Sequence, residues 1–178
     1  MKTIYIILTN TGTMLSKIIY AYTGNMYTHI SIALQEKPYE FYSFGRLNPY
    51  NAFLGGFVKE GVNVGTFKRF CNTKAAIYTL QVTESQYNSI KKQIYSFSIY
   101  KKNYSFNVIG MFLVPLKVKI NKHNSFYCAE FVYYILKLAH IDTNNLPKII
   151  KPIDFLKLDN LHLIYKGYLR ECEALKTQ

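Results

Sequence analysis

The chain has no tryptophan, only three cysteines, and ten acidic side chains in 178 residues. Cysteines at positions 71, 128 and 172 are odd in number and share no short spacing, which argues against a disulfide framework. No cluster of His, Cys and carboxylate residues shows ligand spacing, so neither a metal nor another cofactor is expected. No apolar run approaches the ~18 residues of a membrane span. The apolar stretch Ile4–Leu8 is too short for a signal peptide and reads as a buried strand. A cytoplasmic protein is therefore expected. Repeats, low-complexity tracts and linker-like stretches are also missing, so residues 1–178 are read as one domain with room for a core.

What is present is apolar, aromatic and basic. Hydrophobic residues make up 49% and charged residues 18%, ordinary globular usage that argues against disorder. The 17 tyrosines and 12 phenylalanines must fill an interior or line a groove. Lys and Arg total 22, for a formal charge of +12, which predicts attraction to anionic surfaces. The basic residues are scattered as Lys91-Lys92, Lys101-Lys102, Lys117/Lys119/Lys122 and Lys148/Lys151, and Arg is scarce. This pattern reads as a solvated lysine-rich face, and specific nucleic-acid recognition is not expected.

Periodicity supplies the elements. Thr3–Leu8 reads as a strand, and Gly12–Ala21 as a short helix with Thr11 or Thr13 as cap and Gly24 as stop. Thr28–Leu34 alternates as a half-buried strand, turns at Gln35–Pro38 and returns over Tyr39–Phe44 as a hairpin. Glycines from Gly45 to Gly65 match no phosphate-binding spacing and read as a covering loop. Ala75–Val82 is a further strand. Thr83-Glu84-Ser85-Gln86 resembles a capping box leading a helix to about Ile99. Tyr104–Ile120 is apolar but broken by Gly110 and Pro115, and periodicity assigns it nothing. A helix begins near Cys128, and a last strand runs near Leu161–Leu169. Strands around two or three helices give an α+β layout.

Cys128 is the residue most suggestive of chemistry. In Asn124-Ser125-Phe126-Tyr127-Cys128-Ala129-Glu130-Phe131 two polar and two aromatic residues give way to a thiol and then to an apolar helical pattern. The sulfur falls in the first turn of a buried helix, where unpaired N–H groups and the macrodipole favour thiolate. Such a nucleophile needs a base. His140 lies about 18 Å away along the same helix. His123 sits in a Lys/Asn loop, and His162 alternates with apolar neighbours in a late strand. His29 shares its strand face with the small residues Ser31 and Ala33, which leaves room beside the ring.

The segments Thr28–Leu34, Glu40–Arg46 and Phe126–Val132, in that order, resemble the circularly permuted papain-like cysteine hydrolases. These belong to the YiiX-like and lecithin–retinol acyltransferase-like branch of the bacterial cell-wall cysteine peptidase superfamily. The resemblance runs from the His strand to the closing Tyr165-Lys166-Gly167 strand. It implies a permuted papain-like fold, an antiparallel sheet packed on a catalytic Cys helix and one or two further helices. It also implies Cys128 as nucleophile, His29 as base and then acid, and a polar residue on the following strand that orients the imidazole. Ser43 occupies the matching position, where the family often has Glu or His. Glu40 is the rival: pairing Leu34 with Tyr39 puts Glu40 on the His29 face, and a slip of one residue puts Ser43 there.

The expected activity is cleavage of an amide or ester in a peptide-like or acyl substrate through a thioester on Cys128. Acyl transfer to a lipid, helped by the positive charge, is one alternative. A binding module with little turnover is another, since a Ser hydroxyl offers an imidazolium no charge. The backbone N–H of Cys128 is the expected oxyanion donor. Glu130 is read as structural, and Tyr127 as lining the groove or packing.

Overall fold

β-Branched and aromatic runs at the start of the chain form the sheet, and the later apolar stripes form the helices that cover it. The computed structural model describes residues 1–116, 118 and 123–175. Strand β1 (Lys2–Asn10) leads to α1 (Met14–Thr23), then β2 (His29–Leu34), β3 (Lys37–Asn48) and β4 (Asn51–Glu60). Next come α2 (Gly65–Arg69), β5 (Lys74–Val82) and α3 (Glu84–Ile99). The second half holds β6 (Ser105–Phe106), α4 (Val108–Leu113), β7 (Ser125–Phe126), α5 (Cys128–Leu138) and β8 (Leu161–Tyr168). Six strands form one sheet in the order β4-β3-β2-β1-β5-β8, every neighbour antiparallel. β6 and β7 form a small parallel pair. The fold is α+β.

β1 lies near the middle of the sheet and is covered on both faces. Ile4, Ile6, Ile7 and Leu8 are all fully buried, which explains why the sequence there is a continuous apolar run. On one face α5 lies against β2 and β3, and α3 against β1. Phe97 of α3 meets Phe44, Phe57, Phe126 and Phe131 at ring-centroid distances of 5.2–5.9 Å, an aromatic centre that accounts for much of the Phe content. The other face is thinner. There Phe67 of α2 and the late residues Leu169, Cys172 and Leu175 cover Ile7, Ala33, Phe41, Ala75 and Ile77.

Local capping follows the sequence closely. Thr13, rather than Thr11, caps α1 by accepting from the Ser16 N–H at 3.2 Å, and Gly24 ends it at φ +68°. At α3 the Gln86 N–H donates to the Thr83 hydroxyl and the Thr83 N–H donates to the Gln86 side chain, the reciprocal pair expected of a capping box.

The glycine-containing stretch after Phe44 differs from the expected covering loop. β3 continues to Asn48 and β4 returns from Asn51, with Gly45 opposite Gly56 and Arg46 opposite Gly55. Glycine lowers strand propensity, but here it makes room. A Cβ on Gly55 would stand 2.8 Å from the Phe106 ring. In the stretch left unassigned, Asn107 caps α4 by accepting from the Gly110 N–H at 2.9 Å, and a 3-10 turn covers Val114–Leu116. Lys117, Lys119, Ile120 and Lys122 lie outside the described residues. No disulfide joins any of Cys71, Cys128 and Cys172. Among the described residues no helix is long and apolar enough to cross a membrane.

Candidate active site

Cys128 is the first residue of α5, and the turn before it is pinned from several directions. β6 and β7 pair on its N-terminal side. The Glu130 carboxylate accepts from the Tyr127 N–H at 3.2 Å and from the Asn107 side-chain amide at 3.3 Å, joining the start of α5 to the cap of α4. Glu130 therefore makes structural contacts, tying the start of α5 to α4. Tyr127 packs and does not line the cavity described below: it is buried and its hydroxyl donates to the Ile150 carbonyl at 2.9 Å. The apolar stripe Phe131, Val132, Ile135 and Leu136 holds the helix on the sheet. Cys128 is itself 5% exposed.

His29 opens β2, directly opposite Thr9 of β1. Its Nε2 lies 3.2 and 3.1 Å from the two carboxylate oxygens of Glu60, the last residue of β4. Ser31 donates to the same carboxylate at 2.6 Å. Phe67 meets the imidazole edge-on at 6.3 Å. The Cys128 side chain borders the same cavity as the ring and acts to raise its pKa. With Nε2 given to Glu60, Nδ1 is the nitrogen left for the sulfur. His29 and Cys128, named from sequence, are thus brought together.

Ser43 is not brought to the imidazole, which corrects the expected orienting role. The register is the one-residue slip, with Ile32 opposite Tyr42 and Ala33 opposite Phe41. That puts Ser43 on the His29 face but alongside Ser31, and its buried hydroxyl donates to the Ile30 carbonyl at 2.6 Å. Glu40 falls on the opposite face, where it accepts from the Tyr42 hydroxyl and the Lys59 ammonium. The orienting group is Glu60, hidden in the stretch read as a loop. Its signal in the sequence was faint: one of ten acids, at the end of the apolar pair Phe57-Val58.

The environment decides the charge on the ring. Burial pulls the imidazole pKa down, but the Glu60 carboxylate and the Cys128 side chain more than offset it, pushing it up from 6.5 to about 10. The side chains of His29 and Glu60 are only 19% and 11% exposed, so the pair is weakly screened. At neutral pH the ring is a cation between a carboxylate and a sulfur.

Gly45 makes the Glu60–His29 contact sterically feasible. A Cβ there would lie 3.3 Å from Glu60 Oε1 and 3.4 Å from the imidazole Cε1. Gly45→Val should therefore force the two apart. Loss of a hydrogen bond to a charged group, worth about 1.5–3 kcal/mol, is expected to slow Cys128 alkylation near neutrality roughly tenfold or more. An unchanged alkylation rate in the Gly45→Val protein would show that the contact does not govern the thiol.

His29, Glu60 and Cys128 border a narrow cavity of about 70 Å³, with Arg46, Thr13 and Phe106 on its other walls. A larger cleft of about 900 Å³ lies elsewhere along α5, lined by Tyr133, Tyr134 and Lys137 among others, and contains neither His29 nor Cys128. Among the described residues no three His, Cys, Asp or Glu side chains are grouped to hold a metal ion. No family model matches the chain, and neither a curated protein nor a solved structure matches it.

Proposed function

We propose that the chain is a cysteine-dependent hydrolase of amide or ester bonds, built on a permuted papain-like plan with Cys128, His29 and Glu60 as its working residues. The observation that carries this reading is that a helix-opening thiol, an imidazole and a carboxylate bonded to that imidazole border one cavity. A weakly active binding module would fit an imidazole with only a serine hydroxyl beside it. Glu60 supplies the missing negative charge.

The chemistry begins with a thiolate and an imidazolium, the proton having passed from Sγ to Nδ1. The sulfur attacks the substrate carbonyl carbon and its electron pair forms the C–S bond, leaving a tetrahedral oxyanion. The Cys128 N–H opens α5 and has no helical acceptor, so it is free to donate to that oxygen. As the tetrahedral carbon collapses, the bond to the leaving amine or alkoxide breaks and the imidazolium returns its proton to that group. The thioester no longer carries the thiolate charge that helped raise the pKa of His29, so the ring becomes a better base for water. Water attacks, its proton goes to Nδ1, and sulfur departs as thiolate beside a recharged ring.

Activated esters test this directly. Mixing with p-nitrophenyl acetate is expected to release a burst of nitrophenol matched by one acetyl group on Cys128, visible by intact mass and removed by hydroxylamine. His29→Ala should slow the burst, and Cys128→Ser should abolish it. Acetylation spread over lysines and indifferent to both changes would overturn the reading.

A further inference from the structure

The cavity beside Cys128 is lined by an acidic group, Glu60, and a basic one, Arg46. Glu60 is already engaged, its oxygens taken by His29 and Ser31. Arg46 is different. One guanidinium nitrogen donates to the Thr13 hydroxyl at 2.8 Å, and the Phe70 ring lies 5.9 Å from its central carbon. Among the described residues, ion pairs join His29, Lys37, Lys59, Lys91 and Lys157 to acids, but neither Arg46 nor Arg69.

Arg69 compounds the excess. It shares the Phe70 ring with Arg46, at 5.0 Å, and covers Tyr50 at 4.0 Å. Burial and the nearby Arg69 charge both work against the charged form of Arg46, lowering its pKa. The chain has three arginines, at 46, 69 and 170, and two of them converge here. A half-buried guanidinium with no acidic partner among the described residues, next to a second one, attracts an anion. The first turn of α1, on the same side of the cavity, carries no acidic residue to supply that anion. A guanidinium presents five N–H donors, and a carboxylate takes two of them in parallel.

We propose that Arg46 is the specificity residue of this site, binding a carboxylate carried by the substrate close to its scissile carbonyl. The proposal rests on the hydrolase reading above and adds the substrate class: small acyl or peptide-like compounds with an acidic group near the bond cut. The cavity volume of about 70 Å³ has room for only a few non-hydrogen atoms. That suits a short carboxylate arm. Phe44, Phe67 and Phe106 give the remaining walls an apolar surface against which the arm's carbons can lie.

Iodoacetate and iodoacetamide are close in size and differ in charge, so their relative rates at Cys128 in the full chain read the site without any turnover. In the parent, iodoacetate should react in a saturable way and outpace iodoacetamide. Arg46→Met is expected to lower the iodoacetate-to-iodoacetamide ratio about tenfold or more, the cost of one charged hydrogen bond. Arg46→Lys, which keeps the charge but not the paired donors, should give a ratio between those of the parent and Arg46→Met. The imidazolium also attracts iodoacetate, but it is present in all three proteins and cancels in the comparison. A ratio that ignores Arg46→Met overturns the anion site while leaving the Cys–His pair intact. A thiol inert to both reagents overturns the pair instead, and calorimetry with succinate then decides the anion site. Saturable succinate binding lost in Arg46→Met supports it, and no binding in the parent overturns it.

Discussion

Glu60→Gln is expected to cut the rate of ester hydrolysis by up to about 10⁴-fold, the worth of a carboxylate that orients a catalytic imidazole, in a protein that remains folded. Gln keeps the shape of the side chain but not its charge. The carboxylate holds the imidazole pKa near 10 against the opposing effect of burial, so its removal should drop that pKa toward or below the ordinary value of 6.5. The high-pH limb of the rate profile should move down with it. Stability gives an independent reading with a definite sign. A histidine whose folded pKa is raised contributes stability that is fully present below about 6.5 and lost as pH rises to about 10. On this group's account the parent loses stability across that window, and Glu60→Gln should flatten the slope. Urea titrations at pH 6, 8 and 10 check it, and an identical slope in the two proteins would count against the carboxylate's role.

Phe97→Ala should be the most destabilising single truncation in the helical layer, at about 3–5 kcal/mol. The ring is 2% exposed and, besides the four phenylalanines noted above, meets Tyr104 at 4.3 Å and Tyr134 at 6.1 Å. Its neighbours come from β3, β4, β7 and α5, so no one element can move in to close the gap. Since a domain's net stability is roughly 5–15 kcal/mol, this loss would bring the protein near its unfolding threshold. The expected result is a large drop in the urea midpoint with little change in slope. A shift worth under about 1 kcal/mol, the typical effect of a point mutation, would mean that the aromatic centre is loosely packed. The same layer carries Cys128, so the variant should also lose the reactivity of its thiol.

The readable parts of the sequence were those where local pattern and tertiary role agree. Thr83 and Gln86 cap a helix because their spacing allows nothing simpler, and Phe131, Val132, Ile135 and Leu136 bury one stripe because they fall on one face. His29 and Cys128 could be picked out because each stands at the start of an element with small or apolar neighbours. β4 was hidden because its identity depends on partners. Gly55 and Gly56 weaken strand propensity locally, and only the approach of Phe106 and Leu47 reveals why glycine stands there. Glu60 was lost with that strand. Register hid the rest: Ser43 lies on the face expected of it, but one hairpin pair from the imidazole, and nothing in the alternation of Tyr39–Phe44 sets that offset. Residues whose work is done across strands are legible only when the pairing is known.

The central claim is that His29 governs the thiol of Cys128, and the pH dependence of Cys128 alkylation by iodoacetamide tests it most directly. The parent should be alkylated readily near neutrality, and His29→Ala should slow that rate markedly and change its pH profile. Parent and variant profiles that coincide would contradict the account.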